Sequence, residues 1–187
     1  MIPPFLHLMS ASCRLTNSGP NYGLVMADPV LPATRSVSIE IPREPKSLWK
    51  IVSDPSTPAR FSNELQEASF AAGDSARVGA IIDGRNQNGG FEWSTQSIVT
   101  KCDPPHVFEW SVGDPDAPLA TWSFVLNATP NGSILTHTVT LHESDSYVSR
   151  SIKENPETAE QLLNDRLAIL VSNMQLSIQG IATLAAR

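Results

Sequence analysis

Two side chains able to move a proton stand where the surrounding pattern is apolar. His137 lies on the same alternation as Leu135, Val139 and Leu141. Facing a cavity, its neutral imidazole could exchange a hydrogen bond with a ligand oxygen or take up a proton. Facing a packed interior, it is a structural residue. Glu64 follows Phe61-Ser62-Asn63 at the start of a strand pattern and is the second candidate for acid–base chemistry, set against a plain solvated charge or a helix partner. Asn86 shares the alternation of Ile82 and could close a pocket mouth or simply shape a hairpin. Thr95 and Ser97 alternate with Trp93, and with His137 they make three polar groups that a packed apolar face would rarely accept without partners.

Other chemistries find no support in the spacing. His7, His106, His137 and His142 have no zinc-like relation to cysteines or carboxylates, and His137 and His142 point to opposite sides of a strand. Gly84 to Gly90 has no Lys-Ser/Thr and opens no helix, so it is a hairpin and not a phosphate cradle. No Gly-x-Ser-x-Gly elbow occurs. Neither a metal nor a cofactor is expected, and the candidates describe a pocket more than a reaction.

The elements that must position these residues follow from periodicity. Asn155 to Arg187 reads as one amphipathic helix, with Asn155 as N-cap, Pro156 in the first turn and Glu157 and Glu160 near the positive helix end. Leu163, Leu167, Leu170, Met174, Ile178 and Ile181 form its apolar stripe. Val37, Ile39 and Ile41 alternate on a first strand, Pro45 opens a short helix to Val52, and Ser56 to Phe61 is a second. A meander follows: Leu65–Phe70, a strand carrying Val78, Ala80 and Ile82, and Asn88-Gly89-Gly90 as a hairpin turn. Next come Phe91 to Val99, then Phe108, Trp110 and Val112, then Ala120, Trp122, Phe124 and Leu126. After the turn at Asn131-Gly132, the strand of His137 ends the meander. Glu143 to Glu154 reads as a polar, mobile loop. One-sided alternation on consecutive strands means a sheet with one wet face and one covered face.

The totals limit the partners. With 187 residues, the chain suits a single domain. A net charge of −6 with 13 Lys plus Arg argues against nucleic acid. The aliphatic run Leu167 to Val171 is far short of the roughly 20 residues of a bilayer span, so no transmembrane segment is expected. Residues 1–34 are proline-punctuated and aperiodic. They are expected to be a disordered leader or an upstream extension with Met26 as the start, with the domain beginning near Arg35. Met1 to Ser12 makes a poor signal peptide, and Ser10-Ala11-Ser12-Cys13 only a faint lipidation site. Cys13 and Cys102 are expected as reduced thiols, and the location as cytoplasmic.

The order strand, two short helices, six strands, long helix resembles the START-like helix-grip superfamily (SRPBCC), in particular its bacterial polyketide cyclase/dehydrase-like branch. The resemblance covers residues 35–187. It rests on Trp49-Lys50-Ile51-Val52-Ser53-Asp54, Phe61-Ser62-Asn63-Glu64, Val78-Gly79 to Gly84-Arg85-Asn86, Trp93-Ser94-Thr95, Ala120-Thr121-Trp122-Ser123-Phe124 and Gly132 to Thr136. Asn63 stands where many relatives have Pro, and His137 where an acidic residue is common. The implied fold is α+β: a curved antiparallel sheet of about seven strands wrapped around the C-terminal helix. The implied function is binding of a lipid, quinone or polyketide-like molecule between sheet and helix, by a monomer or homodimer. An aromatase/cyclase-type enzyme using the same cavity is the alternative. The expected lining is Asn86, Trp93, Thr95, Ser97, Trp110, Trp122, Phe124, His137 and Met174.

Overall fold

The computed structural model describes residues 31–187; the expectations for the leader, including Cys13 and Met26, fall almost wholly outside them. The β-branched and aromatic alternation produces seven strands: β1 Ala33–Ile41, β2 Leu65–Phe70, β3 Ile81–Asn88, β4 Phe91–Asp103, β5 Val107–Val112, β6 Ala120–Thr129 and β7 Gly132–Leu141. They form one antiparallel sheet in the order β1-β7-β6-β5-β4-β3-β2. Four helices complete the domain: α1 Pro45–Val52, α2 Ser56–Ala59, α3 Tyr147–Glu154 and α4 Ala159–Ala185. This is the expected α+β helix-grip architecture.

Register shifts at Leu65/Glu67 and Val99/Lys101 bend β2 and the 13-residue β4. The wet face is hydroxylic: Thr34–Thr140, Ser36–Thr138 and Ser38–Thr136 pair across β1 and β7 at 2.9 Å. The turn between β3 and β4 is Gly89-Gly90, with φ of 57° and 86°, the mirror-image turn that matches strand twist. Gly132 serves a different purpose. A Cβ there would lie 2.2 Å from the Ile41 carbonyl oxygen, so the residue is required by the close passage of the β1–α1 connection.

The 27-residue helix α4 is about 40 Å long at 1.5 Å per residue. It buries Leu163, Leu167, Leu170, Met174, Ile178 and Ile181, each side chain contributing about 1.5–3 kcal/mol. Helix α4 packs on β1 and β7 and receives α1, α2 and α3 on its flanks. One end of the core joins Leu48, Val52, Phe124, Leu126, Leu135 and Ile181, and the other joins Val139, Leu141, Leu163, Leu167 and Met174. A third cluster, around Ile82, Val99 and Phe108, is covered by Trp49 of α1, whose ring stands edge-on to Phe108 at 6.3 Å. Pro156–Ala185 is long and apolar enough to pass for a membrane span, but its stripe is the core of this fold.

Three local expectations need correction. Glu143 to Glu154 is not wholly loop: Ser146 caps α3 by accepting the Ser149 N–H, and Val148 and Ile152 pack toward α4. Their spacing of four is an amphipathic pattern that the polar composition hides. Asn155 does not cap the long helix; its Nδ2 donates to the Ser151 carbonyl and closes α3, and a 3₁₀ turn, Pro156–Thr158, precedes α4. Val78 is exposed and lies before β3, because Gly79 takes φ 82° and turns the chain.

Candidate functional site

Cross-strand pairing builds the covered face row by row. On one row Val99 of β4 faces Trp110 of β5, which faces Trp122 of β6, which faces Val139 of β7. On the next, Phe108 faces Phe124, which faces His137, which faces Val37. The rings of Phe124 and His137 stack at 4.1 Å, with Trp122 5.4 Å and Trp110 6.4 Å from the imidazole. Trp110 and Trp122 are nearly parallel at 6.4 Å. Met174 of α4 belongs to the cluster against which Trp122 packs.

His137 is buried, and neither ring nitrogen has a partner. The cause is local: its cross-strand neighbours, Phe124 and Val37, offer no polar atom. Burial without a counter-charge pulls the imidazole pKa from 6.5 down to about 3. At neutral pH the ring is uncharged, with one N–H and one lone pair available. Leaving such groups unsatisfied costs about 1–3 kcal/mol.

Trp93, Trp110 and Trp122 are each half-buried, neither turned to bulk water nor sealed in the core. Trp110 and Trp122 pack against clusters that include Ile178, Ile181 and Met174 of α4, and each keeps part of its surface open. Phe91, on the same alternation at the hairpin tip, is exposed and stacks on Trp93 at 5.7 Å.

The polar candidates divide into two groups. Asn86 donates from Nδ2 to Thr95 Oγ1 at 3.4 Å on the β3–β4 hairpin, and Ser97 is buried further along β4. His137 is three strand steps from β4, roughly 14 Å along the sheet at about 4.8 Å per step. Glu64 joins neither group. It is buried at the start of β2 and receives both Arg166 amino groups, at 2.5 and 2.7 Å, and the Asn88 amide at 3.5 Å. Its charge is thereby matched, and no acid–base pair with His137 is assembled. Arg166 escaped the sequence reading. Its signal was a cation flanking an otherwise apolar stripe, three residues after Leu163 and four before Leu170. Among the described residues no three of His, Cys, Asp and Glu come together as a metal site.

Open depressions lie elsewhere. One of about 760 Å³ sits over β2–β4 between Glu67, Asp83, Arg85 and Gln96, and touches only Thr95 of the expected lining. Its polar groups already bond to one another, as in the Arg85–Glu67 ion pair at 2.7 Å and the Gln96 amide donating to Asp83 at 3.1 Å. The aromatic face carries the chemistry that remains unsatisfied.

Residues 32–174 match the family model for polyketide cyclase/dehydrase and lipid transport. The chain belongs to this family. Among curated proteins no sequence matches. Similar solved structures include the polyketide cyclase-like protein Cgl2372 from Corynebacterium glutamicum, at 23% identity and TM-score 0.57, covering 81% of this chain and 90% of that one. The di-domain ARO/CYC BexL of the BE-7585A biosynthetic pathway has TM-score 0.65 and 12% identity, covering 84% of this chain and 51% of BexL. Major latex-like protein 151 from Panax ginseng has TM-score 0.54 and 11% identity, covering 83% and 99%. At these identities the likeness establishes a fold shared across the polyketide cyclase/dehydrase family and its structural neighbours. The activity must come from the site.

Proposed function

We propose that this domain binds a hydrophobic small molecule against the inner face of β3–β7, beside α4. Trp93, Trp110, Trp122, Phe124 and Met174 form the apolar wall, and Asn86, Thr95, Ser97 and His137 the polar contacts. The observation that carries this reading is His137, a buried imidazole with two unpartnered nitrogens next to indoles left half-covered. A face needed only for packing gains nothing from a histidine here. The family's description, which includes lipid transport, supports the reading. The free thiol of Cys102 suits a cytoplasmic setting, as monomer or homodimer.

The test is a thermal-shift and tryptophan-fluorescence screen against lipids, quinones and aromatic polyketides. A ligand at a hundred times its Kd adds about 2.7 kcal/mol and raises Tm, and covering Trp110 and Trp122 shifts their emission. If no compound in the three classes moves either signal, the reading is wrong.

The likeness to the di-domain ARO/CYC protein BexL favours a second reading, a cyclase that folds a reactive chain on the same face. With Glu64 held by Arg166, His137 is then the proton carrier. Under this reading His137→Ala abolishes turnover of a poly-ketone substrate while binding persists. Unchanged turnover removes the assignment.

A further inference from the structure

The β3–β4 hairpin runs past the rest of the sheet. Strand β5 pairs with β4 only from Ser97, opposite Val112, to Asp103, so Phe91 to Gln96 have β3 on one side and no strand on the other. Two flanking bonds fix the phase of this free edge. The Gln87 N–H donates to the Glu64 carbonyl, away from β4, and the Gln96 carbonyl accepts from Gly113, away from β3. In an antiparallel ladder the direction alternates residue by residue. Phe91, Trp93 and Thr95 therefore bond toward β3, and Glu92 and Ser94 turn their N–H and C=O groups outward. Both are exposed, and among the described residues neither finds a backbone partner on that side. The edge also carries apolar surface: Phe91, exposed, stacks on Trp93 at 5.7 Å. An open edge of this kind is a template for another strand.

The residues of the edge complement themselves. When two copies run antiparallel about Trp93, Glu92 of one faces Ser94 of the other, and their N–H and C=O groups match in both directions. On the aromatic face Trp93 meets Trp93 in a non-hydrogen-bonded pair, the closer kind, and Phe91 meets Thr95. On the opposite face each Glu92 meets a serine, with Arg85 diagonally across on β3. Recentring the pair on Glu92 would set two carboxylates face to face. Recentring it on Ser94 would require the Gln96 carbonyl, which Gly113 already holds. Gly90 and Gly113, where the tip of one copy approaches the β5–β6 loop of the other, carry no side chain to obstruct it. We infer that the chain associates with a second copy of itself through this edge, the two hairpins forming one continuous antiparallel ribbon centred on Trp93. The association is independent of the ligand proposed above, although it sets Phe91 of the second copy opposite Thr95, beside the proposed lining.

Sedimentation velocity of the full chain at about 5 and about 500 µM, a span that brackets a weak interface, should show monomer giving way to dimer. In ¹⁵N-labelled protein the Glu92 and Ser94 amides should gain protection from hydrogen exchange at the higher concentration. Ser94→Pro removes only the outward N–H and should raise the dimer dissociation constant about tenfold or more, the worth of at least one neutral hydrogen bond. Trp93→Lys sets two cations face to face and should abolish the dimer, with circular dichroism checking that both variants fold. A chain that stays monomeric at about 500 µM overturns the inference. So does a dimer that leaves both amides unprotected or is unchanged by Ser94→Pro, because it uses another surface.

Discussion

At the scale of single residues, His137 couples the site to pH. Its folded pKa of about 3 lies below the unfolded value of 6.5, so between those values the unfolded chain binds the extra proton. Stability attributable to this residue is full above pH 6.5 and is lost as the pH falls toward 3. The slope approaches about 1.4 kcal/mol per pH unit. Urea denaturation of the wild type and His137→Phe at pH 7 and pH 4.5 isolates the effect. The variant should be more stable at pH 7 by about 1 kcal/mol or more, because an apolar ring replaces two unsatisfied nitrogens. Its lead should widen at pH 4.5. A constant difference between the two pH values would mean that the imidazole has a partner in solution.

At the scale of elements, two contacts of helix α4 besides its buried stripe can be broken separately. The Glu64–Arg166 pair ties it to the start of β2, with Glu64 about nine-tenths covered and Arg166 a quarter exposed. Removing one partner strands the other, so Glu64→Ala or Arg166→Ala should each cost about 1–3 kcal/mol, discounted for the exposure of Arg166. Glu64→Leu combined with Arg166→Met should recover most of the loss in urea titrations. The second contact is Gly180 against Phe61. A Cβ at 180 would lie 2.3 Å from the Phe61 ring, so Gly180→Ala should destabilise by about 1–3 kcal/mol despite alanine's better helix propensity. Phe61→Leu should partly relieve the clash, and a double-mutant cycle in urea would read the coupling. Asn63 adds a further tie through its N–H to Asn173 Oδ1 at 2.8 Å. The backbone N–H that makes it would be missing in relatives with Pro at this position.

At the scale of the whole molecule, stability should be graded across the sheet. Strands β6 and β7 carry Phe124, Leu126, Leu135 and Val139 beneath α4, whereas α3 fully buries only Ser149. Native-state hydrogen exchange should find α3 opening at lower free energy than β6, β7 and the middle of α4. Exchange of α3 only through global unfolding would show that it belongs to the core.

Most of this architecture was legible in the sequence because periodicity is a local property. Alternation on β1 and β4–β7, the Pro45 helix start and the Leu163–Ile181 stripe each follow from neighbours a few residues apart. Short-range patterns also erred where polarity masked periodicity, as in α3. The inner-face position of His137 was likewise set by its parity with Leu135 and Val139. Only the tertiary structure decided what each candidate touches. It left His137 without a partner, gave Glu64 to Arg166, 102 residues away, and left the indoles only half-buried. The physical reason is one of range. Strand and helix periods are fixed by backbone geometry within a few residues, whereas desolvation and ion pairing depend on which distant segments the packed chain brings into contact.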